Sequence, residues 1–344
     1  MKKKTANEIQ ETNYEITNRD AIRQMIAAKA VLAPMSGITD VPFRMICRKF
    51  GCSFAFTEMV DVNGIVYNNK KTFKYLERLP GDHPLGAQLV GQDEERLLRV
   101  ARLCEEVGFG MVDLNAGCPA RKVITGGKGA YLLKTPGKIG RLIARMVKGL
   151  AIPVTIKIRS GWDEDSLNYL EVARIAEAEG ASAICIHPRT KTQMYRGQAY
   201  HEMTQEVKES VRIPVFASGN MFKASDVKTV MEDTGCDGVY IARGALGRPW
   251  IFDEINRMFQ GKDAKDAPDL DRIKEVVEEH YRLSLEHHGE FLGNKRMHKH
   301  LSWYLKEYKN LNEMLNEYRE TKDLDSFLVF LKRLSLDGRK LYLK

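Results

Sequence analysis

Short apolar runs alternate with longer amphipathic stretches along the chain, from about Ala30 to about residue 260. The apolar runs are bounded by Gly or Pro and do not alternate strictly with polar residues, which is typical of strands buried on both faces of a parallel sheet. We predict eight strands, namely VLAPM (from Val31), FAFTEM (from Phe54), PLGAQLVG (from Pro84), MVDLN (from Met111), IPVTIKIR (from Ile152), SAICIHPRT (from Ser182), IPVFASGN (from Ile213) and GVYIARG (from Gly238).

The stretches between these strands have the apolar spacing and the boundary residues of helices. Thr135 can cap a helix whose first position is Pro136, and the other predicted helices span residues 93–107, 166–179 and 224–234. Eight strands alternating with helices over about 230 residues match the size of a (β/α)8 barrel. A doubly wound open sheet is the alternative, but no GxGxxG motif follows the first strand.

The pattern changes at a short polar stretch from Gly261 to Pro268. Beyond it, Leu, Glu and Lys recur at helical spacing, and we predict helices over residues 271–287, 294–307, 311–321 and 324–334. The predicted fold is therefore an α/β TIM barrel followed by a small all-α helical bundle. The corresponding segments are a flexible arm (1–20), the barrel (21–262) and the bundle (268–344).

The composition excludes several classes of protein. Of the 344 residues, 43% are hydrophobic and 29% are charged, so a disordered chain is not expected. No uncharged apolar run approaches the roughly 18 residues that span a membrane, and the polar N-terminus does not resemble a secretory signal. Six cysteines form no CxxC pair and match no zinc pattern, so we predict a reduced, cytoplasmic protein without a metal site.

Polar, reactive and glycine residues collect where the predicted strands end. In a barrel these ends meet at one rim, where active sites form, so the concentration indicates a site even though any one residue could be structural. The residues concerned are Pro34, Met35, Ser36, Gln88, Asn115, Cys118, Lys157, Arg159, His187, Arg189, Ser218, Gly219, Asn220, Ala242 and Arg243.

The last two strands end in glycine-containing turns, at Gly219 and Gly244. Main-chain N–H groups there can bind a phosphate, and Arg243 can add donors. Lys157 can place a positive charge beside a cofactor ring, where it stabilises a reduced, anionic flavin. These features favour FMN over a dinucleotide. Cys118, between Gly117 and Pro119, is the one cysteine in a loop facing that cofactor, where a thiol can act as a general acid or a nucleophile.

Several motifs at these positions resemble the signatures of the tRNA-dihydrouridine synthases. They are APMSGITDVPFR (33–44), LNAGCPARKV (114–123), KIRSGW (157–162), IHPRT (186–190), ARGALGRPWIF (242–252) and, as in the bacterial B-type members, HKHLSWYL (298–305). The resemblance covers nearly the whole chain from residue 30. The family often has Asn at the position of Ser218 and Gly at that of Ala242; because backbone groups do the binding there, we expect altered packing and retained binding.

The family consists of FMN-dependent flavoenzymes that reduce the C5–C6 double bond of tRNA uridines with NADPH. The resemblance implies that Cys118 protonates C5 while reduced flavin delivers hydride to C6. The implied flavin-binding residues are Pro34, Met35, Ser36, Gln88, Lys157 and His187, and the implied phosphate-binding residues are Ser218, Gly219, Asn220, Ala242 and Arg243.

A uracil inside folded tRNA must be flipped out to reach a barrel rim. We expect Asn115 and Arg159 to contact its polar edge, and Arg189 and Tyr195 to contact the flanking nucleotide. The rivals are an FMN enzyme acting on a free pyrimidine, a synthase acting on ribosomal RNA and a non-catalytic RNA-binding protein. No obligate protein partner is predicted, and we expect a monomer.

The formal net charge of +8 permits a polyanionic partner. Residues 268–344 hold 15 Lys and Arg against 14 Asp and Glu, which leaves 39 against 32 in residues 1–267. Within the nearly neutral bundle, Lys295, Arg296 and Lys299 form a basic cluster ahead of Trp303 and Tyr304. We predict that this cluster binds RNA phosphates beside a stacking surface, the alternative being a solvated helix face over a buried aromatic pair.

Overall fold

The computed structural model describes residues 18–337 and 340–343, except residues 264, 266 and 322. All eight predicted strands are present in it, and the second is divided into two short pieces. The strands are β1 Ala30–Leu32, β2 Ala55–Phe56, β3 Val60–Asp61, β4 Leu85–Val90, β5 Met111–Ala116, β6 Val154–Arg159, β7 Ala183–His187, β8 Val215–Ser218 and β9 Gly238–Ile241.

The strands form a closed parallel barrel. From β4 to β9 each strand pairs with the next, and β9 pairs with β1. The ring closes through the divided second strand, because β2 pairs with both β1 and β4 while β3 extends along β4. The predicted TIM barrel is thus confirmed, and every strand from β4 to β9 delivers its carboxyl end to the same rim.

The register of the central strands decides which side chains face each other. Asp113 on β5 lies opposite Gln88 on β4 and Thr155 on β6. One step nearer the rim, Asn115 lies opposite Lys157. Because side chains alternate along a strand, residues two positions apart share a face, and polar groups from three strands therefore meet on one face of the barrel wall.

The four helices predicted between the strands begin and end close to the predicted positions, and further helices accompany them. Asp93 accepts a hydrogen bond from the N–H of Arg96 and caps one of them, and Pro136 opens another. These helices are α1 Asn18–Ala27, α2 Val41–Lys49, α3 Val62–Val66, α4 Lys70–Phe73, α5 Glu94–Glu106, α6 Arg121–Ile124, α7 Pro136–Gly149, α8 Tyr169–Ala178, α9 Glu202–Ser210, α10 Ala224–Thr234 and α11 Ile251–Phe259.

Four helices follow the polar stretch, as predicted. They are α12 Leu270–His288, α13 Glu290–Tyr304, α14 Leu311–Arg319 and α15 Leu324–Arg333. Their apolar faces enclose an aromatic core in which the Tyr281 and Phe327 rings stack at 3.8 Å and Tyr318 meets Phe327 edge-on. Within the described residues, no helix is long and apolar enough to cross a membrane.

Contacts divide the chain into two units. The first comprises the described residues up to Asp40 together with Cys52–Ala242, and the second comprises Val41–Gly51 together with the described residues from Arg243 onward. The sequence placed the divide between residues 262 and 268. By contacts, α2 and α11 belong to the second unit, where Ile46 and Trp250 lie in the same apolar cluster as Tyr281.

The first helix and the last two strands are among the elements that the sequence pattern did not predict. Helix α1 buries Ala21 and Met25 against barrel residues that include Phe56 and Tyr240, and all but residues 18–20 of the predicted N-terminal arm lie outside the described residues. Near the C-terminus, β10 Leu334–Asp337 pairs antiparallel with β11 Lys340–Leu343. The alternating leucines and the Asp-Gly dipeptide at 337–338 are a hairpin signal that helical spacing masks.

Candidate active site

Cys118 lies in the loop that follows β5, and several hydrogen bonds hold its backbone. The N–H groups of Gly117 and Cys118 donate to Oδ1 of Asn115 at 3.2 and 2.9 Å. The Cys118 carbonyl accepts from the N–H of Ala130 at 3.0 Å. Cys118 is half-buried, whereas the other five cysteines are buried. The loop therefore presents this thiol from a fixed backbone.

A buried row of polar side chains lies below this loop, inside the barrel. Asn115 Nδ2 donates to Oε1 of Gln88 at 2.7 Å, and Gln88 Nε2 donates to Oδ2 of Asp113 at 2.7 Å. The Thr155 hydroxyl donates to the other Asp113 oxygen at 2.7 Å. Burial raises the pKa of Asp113 to about 6, against the opposing effects of these hydrogen bonds and of the positive charge on Lys157.

Two cations on β6 frame the site. Lys157 is half-buried, and Arg159 is buried with its Nε donating to the Gly117 carbonyl at 2.7 Å and its Nη1 donating to the carbonyls of Thr190 and Met194. Burial lowers the pKa of Arg159 to about 10, so its guanidinium stays charged at neutral pH. Its charged carbon lies 5.5 Å from the centre of the exposed Tyr195 ring.

Arg189 braces the rim after β7. Its Nη1 lies 2.9 Å from Nε2 of buried His187, and its Nη2 donates to the Gly197 carbonyl and to Oδ1 of Asn220. Because its guanidinium is buried and joins two loops, the described contacts of Arg189 serve to hold the rim in shape.

The turn after β8 requires the residues found there. Gly219 has φ +115°, which L-residues rarely adopt, and a Cβ at this position would lie 2.9 Å from Cδ2 of His187. Asn220 follows with φ +58°, in the left-handed region that Asn tolerates. His201 braces the turn from outside, with Nε2 lying 3.1 Å from the Gly219 carbonyl, and burial lowers its pKa.

The remaining predicted residues follow the first and last strands. Pro34 and Met35 are half-buried and Ser36 is exposed, in a turn where the Met35 N–H donates to the Thr39 hydroxyl at 2.9 Å. Ala242 ends the first unit, and exposed Arg243 opens the second with a single 3-10 turn.

The donor set of the first unit fits a flavin. Ring carbonyls and ring nitrogens need hydrogen-bonding groups with a positive charge nearby, and the amide of Gln88 and the ammonium group of Lys157 have that chemistry. The described residues contain no group of three His, Cys, Asp or Glu side chains that could hold a metal ion.

The basic cluster of α13 lies on the second unit. Lys295 and Lys299 are exposed one helical turn apart, and Arg296 is half-buried. Tyr304 is buried, with its hydroxyl 3.2 Å from Nδ1 of His280, so it offers no stacking surface. For Tyr304 the buried alternative is therefore correct, while Trp303 is half-buried.

Sequence reasoning did not select two residues that organise this site, Asp113 and His201. Asp113 lies two positions before Asn115 on the same strand, so both side chains are on one face of β5. A second polar residue on that face could have indicated its place in the site. His201 carried none, because only the folded loop brings it to Gly219.

Comparison with known proteins identifies relatives along most of the chain. The model of the family described as "Dihydrouridine synthase (Dus)" matches residues 31–335. The tRNA-dihydrouridine synthase B of Pseudomonas aeruginosa is 35% identical over 298 residues, which cover 87% of this chain and 90% of that protein. The protein of the same name from Vibrio vulnificus is also 35% identical, over 94% of this chain and 96% of its own length.

A Mycobacterium leprae protein described as "Probable tRNA-dihydrouridine synthase" is 36% identical over 88% of this chain and 87% of its own. Among solved structures, the complex of 2-naphthoyl-CoA reductase with 2-naphthoyl-CoA superimposes with a TM-score of 0.50 and 11% identity, over 68% of this chain and 50% of that one. At that identity the likeness shows a shared fold alone.

Proposed function

This chain belongs to the dihydrouridine synthase family, and from that premise we propose that it reduces the C5–C6 double bond of selected tRNA uridines to 5,6-dihydrouridine. The observation that carries the proposal is the placement of Cys118, a half-buried thiol held at the barrel rim beside Asn115 and Arg159. Reduction of a pyrimidine double bond by a hydride needs a proton donor within reach of the other carbon, and a thiol held at this rim can fill that role.

We propose FMN as the flavin and NADPH as the external reductant. Gln88 and Lys157 are proposed to bind the ring, with His187 beside it and Pro34, Met35 and Ser36 along it. The backbone turn at Ser218, Gly219 and Asn220 is proposed to hold the single phosphate, together with Ala242 and Arg243. The chemistry that a reduced flavin supplies when bound is a hydride for C6 of the uracil.

Cys118 supplies the proton. Burial raises the pKa of its thiol, although the N–H of Ala120 and the charges of Arg159 and Lys157 oppose that rise. The thiol therefore stays protonated at neutral pH, as an acid must before it acts. Its S–H bond breaks, a C–H bond forms at C5, and the thiolate left behind regains a proton from water after the product leaves.

The substrate is proposed to enter as a flipped base. Asn115 has a second hydrogen on Nδ2 for a uracil carbonyl, and Arg159 places positive charge beside the same polar edge. Tyr195 is exposed on the rim and can stack on the neighbouring nucleotide, whose position we propose that Arg189 sets through the loop it braces. Lys295, Arg296 and Lys299 are proposed to bind phosphates of the same RNA.

The test is product formation by the purified protein. With FMN, NADPH and unmodified tRNA, we expect dihydrouridine at defined tRNA positions by mass spectrometry, and Cys118→Ala should retain the yellow cofactor while losing most of the product. Product of equal amount from Cys118→Ala would remove this thiol from the mechanism.

The same assay separates the rival functions. Turnover of free uracil or uridine with no change in tRNA would replace the proposal with a free-pyrimidine reductase, and dihydrouridine found in ribosomal RNA alone would change the substrate. A protein that binds RNA but stays colourless with added FMN would be a non-catalytic binder.

A further inference from the structure

Four side chains connect the floor of the barrel to the Cys118 loop. Thr155 donates to Asp113, Gln88 donates to Asp113, Asn115 donates to Gln88, and the N–H groups of Gly117 and Cys118 donate to Asn115. All four side chains are buried, with Asp113 and Gln88 each 1% exposed. Water is therefore a poor substitute for any of these contacts.

The groups at the two ends of this series of hydrogen bonds determine which way each side-chain amide points. Backbone N–H groups can only donate, so the Asn115 atom facing them is its oxygen, and its NH2 group must point to Gln88. Gln88 must then offer its oxygen to Asn115 and its own NH2 group to Asp113. That last NH2 group needs an acceptor, and an ionised carboxylate accepts at both oxygens.

We propose that Asp113 is a positioning residue. Its buried carboxylate fixes the direction of these hydrogen bonds, here called the relay, and thereby the orientation of Gln88, Asn115 and the Cys118 loop. With a group in its place that cannot accept, the Gln88 NH2 group has no buried acceptor, and a turned or displaced Gln88 amide then competes with the arrangement that receives the Asn115 NH2 group. Asn115 then has no fixed acceptor, and the two N–H groups of the loop lose theirs in turn.

The relay also explains what the site can offer to ligands. Each NH2 group uses one hydrogen inside the relay and keeps the second, so Gln88 can donate to a flavin and Asn115 to a uracil in a set direction. The raised pKa of Asp113, about 6, leaves it ionised at neutral pH, as the relay needs. This catalytic role rests on the proposed function, whereas the effect on the Cys118 loop does not.

The experiment compares Asp113→Leu with Asp113→Asn in the FMN-loaded protein. The readout is the pH profile of Cys118 alkylation by iodoacetamide, followed by peptide mass spectrometry, which is selective because the other five cysteines are buried. Asp113→Asn can still accept from Gln88 through its amide oxygen, so its profile should match the wild type. Asp113→Leu should shift the profile and lower kcat on tRNA by about 100-fold, with little change in KM.

A second pair of variants is nearly isosteric and keeps the test valid if Asp113→Leu does not fold. Thr155→Val and Asp113→Asn should each leave the alkylation profile unchanged, because each retains an acceptor facing Gln88. Combined, they leave the amide introduced at position 113 with no hydroxyl to hold its NH2 group, so the amide can turn that group towards Gln88 and withdraw the acceptor. The double variant should then show the shift. An unchanged profile in both Asp113→Leu and the double variant would overturn the relay.

Failure of the relay and failure of the proposed function give different results. If the wild-type protein forms no dihydrouridine, but the Cys118 profile shifts in the Asp113 variants as described, the relay stands and the proposed function is rejected. If product forms normally, but the Cys118 profile is the same in wild type and in the Asp113 variants, the proposed function stands and the relay is rejected. A shift of equal size in Asp113→Asn would overturn the directional role, since charge alone would then matter.

Discussion

Burial raises the pKa of the thiols of Cys104, Cys118 and Cys185, and the opposing effects differ among them. It raises the pKa of Cys104 and of Cys185 to about 12. At Cys118 burial also raises the pKa, but a backbone N–H and two nearby cations oppose the rise. A thiol in this position is protonated at rest and still able to give up its proton, a combination that the fully buried cysteines lack.

Asp113 gives a prediction about stability. Its pKa in the folded protein is about 6, compared with an ordinary value of 3.8, so the folded protein binds this proton more tightly than the unfolded chain. The contribution of this group to stability therefore falls as the pH rises from about 4 to about 6 and is level above that. Asp113→Asn removes this dependence. The free energy of unfolding of the variant, relative to wild type, should rise by about 1 kcal/mol between pH 5 and pH 7.

Urea denaturation of both proteins at several pH values measures this difference. The other groups that face Asp113 do not titrate in this range, because the pKa of Cys185 is raised to about 12 and that of Tyr240 lies well above 10. Lys157 contributes a positive charge in both proteins. A difference that stays constant from pH 5 to pH 7 would contradict the raised pKa.

At the scale of elements, the turn after β8 is the most demanding piece of backbone at the site. Gly219→Ala forces a side chain into a φ of +115° and against His187, so we expect it to lower the free energy of unfolding by about 2 kcal/mol and to weaken flavin retention. Gly137→Ala is the matched control, because a Cβ there meets nothing within 4 Å and Ala favours a helix. Thermal unfolding and flavin absorbance after gel filtration measure both effects.

Equal losses in the two glycine variants would show that the loss at Gly219 does not come from its positive φ or from its approach to His187. A Gly219→Ala protein as stable as wild type, with its flavin retained, would contradict the tight approach of this turn to His187.

The strands and most of the longer helices are predictable from the sequence, because the burial of one or both faces determines the spacing of their apolar residues. Strands β4 to β9 are apolar between glycines and prolines, and Pro136 marks the first residue of α7. The sequence pattern does not mark the division of the second strand, whose two pieces are separated by a segment that includes buried Thr57 and Glu58. The final hairpin was missed because its leucines also fit a helical spacing.

The sequence could predict those features of the candidate site that depend on the order of the strands. Position at a strand end selects Cys118, Lys157 and Arg159, because parallel strands deliver their ends to one rim. It does not reveal which polar atoms face one another across strands. The contact between Gln88 and Asp113 depends on register, and the contact between His201 and Gly219 depends on the path of a loop.

At the scale of the whole molecule, positive charge is spread unevenly. The 15 Lys and Arg of residues 268–344 are nearly balanced by 14 Asp and Glu, whereas residues 1–267 hold 39 against 32. A net surplus therefore does not mark the helical part as the main source of attraction for RNA. Within it, the exposed pair Lys295 and Lys299 is a local exception.

This distribution leads to a prediction about RNA binding. Lys295→Glu combined with Lys299→Glu should weaken tRNA binding and reduce the slope of log K against log salt by about 2, one for each phosphate that is no longer neutralised. The control is Arg99→Glu with Lys148→Glu, which makes the same change in net charge at exposed positions of α5 and α7. Filter binding at several salt concentrations measures both.

The control variant should retain the wild-type slope, with a small decrease in affinity because long-range attraction is weaker. If both double variants show the same decrease in affinity and in slope, net charge alone attracts the RNA and the α13 cluster does not touch it.

Helix α2 is synthesised early, but the helices that it packs against are synthesised near the end of translation. The ring of Phe43 lies 5.8 Å from that of His280 and 5.1 Å from that of His300, about 240 residues further along the chain. A ribosome adds roughly 5–20 residues per second, so α2 waits about 10 to 50 seconds for these partners. Throughout that interval the nascent chain carries an uncovered apolar helix face, which makes this segment the natural target for a chaperone acting during translation.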